Sequence, residues 1–179
     1  MLDDERSFLT IDATSSIHPI HTTTRVAGWV DLDAGGRPVL APDEPPPPGG
    51  VIGQVAFDVT AMRSGNPLID REAERRLRPT EYPTVLGELT ALVGRHDGTV
   101  LAADTDGPAY VYDGAGRLTF HGVTRDITGE LSIAKTDDEL RLTGTTRIDV
   151  TDFVVQPPSL LMVKVHKDVT ITIDAVAHR

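Results

Sequence analysis

The sequence of 179 residues contains no cysteine, few aromatic residues and no long apolar run. Without cysteine the chain can form neither a disulfide nor a thiolate zinc site, so packing alone must stabilise its fold. Aromatic residues make up 4% of the chain, whereas apolar residues as a whole make up 39%. The apolar content is therefore mostly aliphatic and β-branched, which favours strands.

The chain also lacks an excess of positive charge. It carries 17 Lys and Arg against 27 Asp and Glu, a formal net charge of −10. Because nucleic-acid binding depends on clustered basic residues, we expect no nucleic acid as a partner. No run of about 18 apolar residues is present, so we expect no membrane insertion. The acidic segment Met1 to Arg6 has neither the basic nor the apolar part of a secretion signal, and we expect a cytoplasmic location.

Alternating apolar and polar residues mark the C-terminal part of the chain. The odd positions from Val163 to Ala177 are mostly apolar, and so are the even positions from Leu140 to Val150. This period of two predicts strands with one buried face. Further strand-like runs span residues 8–12, 16–33, 51–59, 84–92, 117–121 and 124–134.

Turn signals separate these runs. They are Gly35-Gly36, Gly49-Gly50, Asp97-Gly98, Asp113-Gly114 and Asp137-Asp138. About eight strands with such connections predict an all-β fold, either an antiparallel barrel or a sandwich. We find no internal repeat and predict a single domain over residues 1–179, with a core at about 8–177 and a Pro-rich loop at 42–50.

One segment departs from the strand pattern. Asn66 suits the N-cap of a helix that starts at Pro67 and stops before Pro79. Within it, apolar residues recur every four positions, at Ile69, Ala73 and Leu77. The pattern predicts one short amphipathic helix, which could lie across one end of a barrel.

Five stretches together resemble the YceI-like family of extended, lipocalin-like barrels. They are Leu9 to Ile17, Gly28-Trp29, Met62 to Pro83 with its Tyr82-Pro83, Gly116 to Arg125, and Asp152-Phe153 with Val163 to Ile173. The resemblance implies an extended antiparallel β-barrel of about eight strands with one short helix. It also implies an interior that binds isoprenoid quinones or polyprenyl lipids and performs no chemistry on them.

The chain departs from the family pattern at three positions. Thr14 stands where the family usually has His, and Pro19 and Gly87 stand where it usually has Phe. Loss of bulk at Gly87 could widen the interior or be filled by a neighbour, and we expect a wider lumen. The resemblance therefore transfers the fold more safely than the ligand.

Candidate lining residues come from the inward-reading faces near the matching stretches. They are Phe57, Val59, Val85, Leu89, Leu118, Phe120, Leu142 and Val165. Binding an apolar chain requires such side chains and no unpaired polar groups. The alternative is that these residues simply fill a dry core, as in other small eight-stranded barrels.

Histidines and arginines offer further candidates. His121 could hydrogen-bond the polar head of a ligand or act as a general base, although a histidine bonded to backbone across a turn is the plainer interpretation. His18 and His21 would point to opposite faces of a strand, so we expect no metal site. Arg63, Arg71 and Arg75 could pair with an anionic head group, or they could form a solvated helix face balanced by nearby acidic residues.

The sequence thus predicts a binding or carrier protein for an apolar isoprenoid-like lipid, not an enzyme, with no cofactor other than such a lipid. One alternative is an enzyme that acts on a small lipophilic substrate with His121 or Tyr82 as the acid-base group. Another is a structural or interaction domain with a filled core. An apolar small molecule is the expected partner, and a homodimer is possible.

Overall fold

The computed structural model describes residues 1–31, 51–101, 108–135, 139–157, 159–160 and 163–178. Within these residues the chain forms ten strands and one α-helix. The elements are β1 Phe8–Ser15, β2 Ile20–Arg25, β3 Ala27–Val30, β4 Gly53–Asp58, α1 Pro67–Leu77, β5 Thr84–Leu101, β6 Pro108–Phe120, β7 Val123–Lys135, β8 Glu139–Asp149, β9 Ser159–Leu160 and β10 Val163–His178. Short 3-10 turns cover Val59–Ala61 and Val150–Phe153. None of the helical segments described has both the length and the apolarity to cross a bilayer.

All the strands belong to one antiparallel sheet in the order β2-β1-β10-β8-β7-β6-β5-β4-β3, with β9 paired to β10. The edge strands β2 and β3 are joined by Val26 alone. One bent strand from Ile20 to Val30 therefore starts on one edge and ends on the other, which brings the edges together into a barrel. Taking it as one strand and leaving out β9, eight strands surround the interior. The prediction of an all-β antiparallel barrel with one helix is confirmed.

Val26 marks the bend in this closing strand. Its side chain is 1% exposed, and its N–H donates to the carbonyl oxygen of Ser7 at 3.1 Å. Farther along, Gly28 pairs with Val55, and a Cβ at Gly28 would lie 2.0 Å from the carbonyl oxygen of Gln54. Only glycine allows this close approach of β3 to β4. This explains the glycine of the Gly28-Trp29 pair.

The N-terminal residues bridge the seam where β3 has separated from β1. The N–H of Leu2 donates to the carbonyl oxygen of Gly28 on β3 at 2.9 Å, and the N–H of Asp3 donates to that of Val176 on β10 at 2.8 Å. Leu2 is 8% exposed. The buried interior thus begins earlier than residue 8, where the sequence placed the start of the core.

The helix forms where the sequence predicts it. Asn66 Oδ1 accepts hydrogen bonds from the N–H groups of Leu68 at 3.0 Å and Ile69 at 3.4 Å, which satisfies two free donors of the first turn. The helix ends at Arg78, whose φ of 49° is left-handed. Ile69 packs with Ile20 and Val165, so the helix is attached to strands β2 and β10 through its apolar face.

Two of the predicted turns are strand residues. Asp113 and Gly114 lie inside β6, where Gly114 pairs with Leu92 and Gly129, so the prediction of a turn there is wrong. Asp97-Gly98 falls within β5, at a register shift between Gly94 and Thr99. The signals at 35–36, 49–50 and 137–138 and the Pro-rich loop 42–50 lie outside the described residues.

Candidate functional site

A cavity of about 590 Å³ lies between helix α1 and the adjoining part of the barrel. Its walls are mainly aliphatic side chains from the inward faces of the strands, and we call it the larger cavity. Six of the eight residues that the sequence proposed line it, namely Phe57, Val59, Val85, Leu118, Phe120 and Val165. Its volume falls within the range of about 300 to 1,000 Å³ that is typical of small-molecule sites.

The helix closes one side of the larger cavity. Ile69, Ala73 and Leu77, the three residues of the predicted apolar stripe, all line it. Of these only Ile69 is fully buried, whereas Leu68 on the outer face is 70% exposed. The stripe therefore contacts the cavity, and the charged face of the helix is solvated.

A second cavity of about 200 Å³ occupies the opposite part of the interior, and we call it the smaller cavity. Leu89 and Leu142 line it, while Phe57, Leu118 and Ile171 line both cavities. The barrel is therefore hollow on both sides of these three side chains, and the cavities meet there. Leu2 and Trp29 also line the smaller cavity, and Leu2 pairs with Ala177 at the end of β10 away from the helix.

Glycine supplies much of the wall of the smaller cavity. Five neighbouring strands contribute the inward-facing residues Gly53, Gly87, Gly114, Gly116, Gly129 and Gly144. At Gly87 the side chain of Val55 lies 3.1 Å from where a Cβ would be, so this neighbour takes up part of the space expected from the lost bulk. The wall there is largely backbone.

Thr22 on β2 and a larger set of polar side chains from the helix and the segments beside it line the larger cavity, and we call the larger set the rim. Its members are Thr60, Arg63, Ser64, Asp70, Arg71, Glu74, Arg76, Gln156 and His166. Asp70 accepts from the hydroxyl of Ser64 at 2.6 Å, and Arg63 donates to the carbonyl oxygens of Thr60 and Met62. Most rim groups therefore have partners of their own.

The three predicted arginines do not act as one set. Arg63 and Arg71 belong to the rim, but Arg75 binds Glu72 at 2.7 Å. Arg76 binds the same carboxylate, and the hydrogen bonds from Arg75 and Arg76 lower the pKa of Glu72. Arg75 therefore fits the alternative of a solvated helix face balanced by acidic residues, and not a site for an anionic head group.

His121 lies in the tight turn between β6 and β7. His121 and Gly122 have φ of 51° and 75°, as expected for a two-residue hairpin turn of type I′. The ring of His121 lies 4.4 Å from that of Tyr82, and its Nε2 is shielded without a hydrogen-bond partner in the described chain. Among the described residues that line either cavity, neither His121 nor Tyr82 is present.

The two N-terminal histidines do not converge. His21 Nδ1 lies 2.5 Å from Asp12 Oδ1, while the carbonyl oxygen of His18 accepts from the hydroxyl of Ser15. In the part of the chain that is described, no group of three or more potential metal ligands is found.

Sequence reasoning missed several residues of the interior. Ile11, Ile148, Val169 and Ile171 line the larger cavity and follow the same period-two pattern, so alternation was a sufficient signal for them. Leu2 had no such signal, because it precedes the first strand.

The geometry defines the protein as a nearly closed antiparallel β-barrel with a hollow, largely apolar interior. The sequence profile of the YceI-like domain matches residues 2–177. The chain belongs to the YceI-like family. No curated protein matches it in sequence.

Three solved structures share the fold. BcnA of Burkholderia cenocepacia is 16% identical with a TM-score of 0.75, and the alignment covers 99% of each chain. A polyisoprenoid binding domain from Saccharophagus degradans, implicated in plant cell wall breakdown, is 15% identical with a TM-score of 0.71 and covers 99% of this chain and 96% of its own. The YceI protein of Campylobacter jejuni is 16% identical with a TM-score of 0.57, and the alignment covers 86% of this chain and 81% of that chain.

Proposed function

We propose that the barrel binds or carries a lipid with a long apolar tail, of the polyisoprenoid type, and performs no reaction on it. The observation that carries this proposal is the pair of apolar cavities that meet at Phe57, Leu118 and Ile171 inside one barrel. An interior that is hollow on both sides of these residues does not fit the alternative of a filled core.

The walls suit a hydrocarbon tail. Each buried methylene contributes about 0.8 kcal/mol, provided that no polar group is left unsatisfied. The rim concentrates polar groups near the helix, and Ile69, Ala73 and Leu77 complete the apolar wall below it. We place the tail against the eight aliphatic and aromatic residues predicted from the sequence and the polar head of the lipid at the rim.

The structural neighbour from S. degradans supports a polyisoprenoid as the lipid class, because that protein is described as binding one. Quinone and polyprenyl lipids share this tail, and the rim can accept either head. A cytoplasmic location and a homodimer stay predictions.

An enzyme that uses His121 or Tyr82 is the less favoured alternative. The two rings pack against each other with their centroids 4.4 Å apart and their planes tilted by 50°, and Gly122 packs beside Tyr82. A group that packs in a turn and does not line the cavity has no route to a ligand in the barrel. We assign the pair to packing, and a ligand contact by His121 would require a rearranged turn.

The first experiment identifies the lipid. The protein is purified from the cells that produce it, extracted with organic solvent, and the extract is analysed by mass spectrometry. We expect one apolar molecule in near-stoichiometric amount. Recovery of none, together with no binding of an added isoprenoid quinone, would count decisively against the proposal.

A blocking variant locates the site. Ile171→Trp places a large ring where the two cavities meet and should weaken quinone binding by about tenfold or more, because it displaces several methylenes of the tail. Thr172→Trp is the matched control on the next residue of β10, whose side chain points to the other face of the sheet. Equal binding by both variants and the unaltered protein would place the ligand elsewhere.

A further inference from the structure

A residue that precedes every strand lines the smaller cavity, beside Ala177 at the end of β10 away from the helix. Leu2 lines this cavity and packs in one buried cluster with Ile133, Leu142, Ala175 and Ala177. Its side chain is 8% exposed, whereas that of the adjacent Met1 is 81% exposed. Leu2 therefore lies at the boundary between the interior and the solvent.

Contacts other than the Leu2 side chain hold its segment in place. The N–H groups of Leu2 and Asp3 bond to β3 and β10, and Asp3 Oδ1 accepts from the N–H groups of Glu5 at 3.0 Å and Arg6 at 3.1 Å. Arg6 also forms an ion pair with Glu139. A change of the Leu2 side chain should thus alter the end of the cavity and leave the segment where it is.

The opposite end of the interior differs in chemistry. The rim carries most of the polar residues that line the larger cavity, whereas the buried cluster that contains Leu2 is aliphatic, with Tyr112 packed against it. A lipid with a polar head would therefore enter with its tail toward Leu2, since burying an unpaired polar head there would be unfavourable. The distance from the rim to Leu2 would then limit the length of the tail.

We propose that Leu2 is the closed end of the lipid site and determines the longest isoprenoid tail that the barrel accepts. This inference rests on the proposed function. It assigns a specificity role to a side chain outside the strands, because shortening Leu2 should lengthen the apolar tunnel and enlarging it should shorten the tunnel.

The test measures the affinity for all-trans prenols of increasing length, from two isoprene units upward. Trp29 is the only tryptophan and lines the smaller cavity, so its fluorescence reports a tail that reaches this end. In the unaltered protein we expect affinity to rise with length and then to level off. Leu2→Ala should move this limit to longer prenols, with a gain of about tenfold for the first prenol beyond it. Leu2→Phe should weaken the longest bound prenols and leave the shortest unchanged.

Ile133→Val is the control. Ile133 belongs to the same cluster and is 1% exposed, but it is not among the described residues that line the smaller cavity. Its truncation should lower stability without moving the length limit. An unchanged limit in both Leu2 variants, with prenol binding intact, would overturn the inference and leave the proposed function standing. Failure of every prenol to bind the unaltered protein would instead remove the proposed function.

Discussion

The two cavities of the barrel are built from different parts of the chain. Branched side chains such as Val85, Ile148 and Val169 project into the larger cavity. Around the smaller cavity, six glycines leave backbone exposed to the interior, and Leu89, Leu131 and Ile173 occupy part of the space between them. The first wall is made of side chains, and the second is made in large part of main chain.

This difference shows how a β-barrel can be narrow and hollow at once. Strands that curve tightly approach one another so closely that a Cβ would collide with the neighbouring backbone. Gly116 and Gly129 show this, since a Cβ would lie 2.2 Å from the carbonyl oxygen of Glu88 and 2.4 Å from that of Thr145. Glycine there permits the curvature and does not by itself enlarge the lumen.

The largest effect is expected behind the larger cavity. Phe153 is 1% exposed, and its ring lies 5.7 Å from that of Phe120, which lines the cavity. Phe153→Ala should lower the free energy of unfolding by about 3 to 5 kcal/mol, measured by urea denaturation, because it leaves a void in a packed cluster. Phe8→Ala, at an aromatic residue 39% exposed on β1, should cost less than about 1 kcal/mol. Similar losses in both would show that Phe153 does not support the cavity wall.

The next test concerns the glycine wall. Gly116→Ala should destabilise the protein by about 2 to 3 kcal/mol, since the new methyl group would meet backbone that cannot move without bending the sheet. Gly114→Ala, two residues earlier on β6, should change stability by less than about 1 kcal/mol, because its Cβ would make ordinary contacts of 3.5 Å or more. Thermal unfolding of the two variants compares them directly, and equal melting temperatures would contradict the curvature argument.

The sequence predicted the larger cavity better than the smaller one because side chains form the first wall and glycine backbone forms much of the second. Alternation identifies inward positions only where they carry apolar side chains, as at Val59, Val85 and Val165. A glycine has no side chain, so it contributes nothing to an apolar-polar alternation. Asp113-Gly114 was predicted as a turn from its residue types, although it lies in strand β6. The start of the helix was predictable to the residue because Asn66 and Pro67 act locally. His121 shares a motif with Phe120, but only the turn geometry showed that its ring packs on Tyr82 and not in the interior.

A smaller effect is expected from the helix that covers the larger cavity. Asn66→Ala removes the acceptor for two N–H groups of the first turn and should cost about 1 kcal/mol. Hydrogen exchange should then accelerate at Leu68 and Ile69 and stay unchanged at residues that line only the smaller cavity, such as Leu142. Faster exchange at both cavities would mean that the helix and the glycine wall open together.

The smallest effect concerns two matched carboxylates beside the larger cavity. Asp58 and Asp149 each cap a 3-10 turn, and the valine that follows each of them lines this cavity. Each carboxylate also accepts hydrogen bonds from the N–H and the hydroxyl of the threonine two residues on. Sequence reasoning missed this repeat of Asp-Val-Thr. Only Asp149 also binds the ammonium group of Lys167, at 2.6 Å.

This extra partner should make the acid stability of the two turns unequal. Hydrogen bonds from Lys167 and then Thr151 lower the pKa of Asp149 from its usual 3.8 to about 2, and those from Thr60 lower the pKa of Asp58. Because the folded state binds fewer protons than the unfolded state in this range, the stabilisation is complete above pH 4 and is lost as the pH falls toward 2. Asp149→Asn should therefore flatten the fall of the unfolding free energy between pH 5 and 2 more than Asp58→Asn does. The reverse order, or no flattening in either variant, would show that Lys167 does not strengthen the wall of the larger cavity.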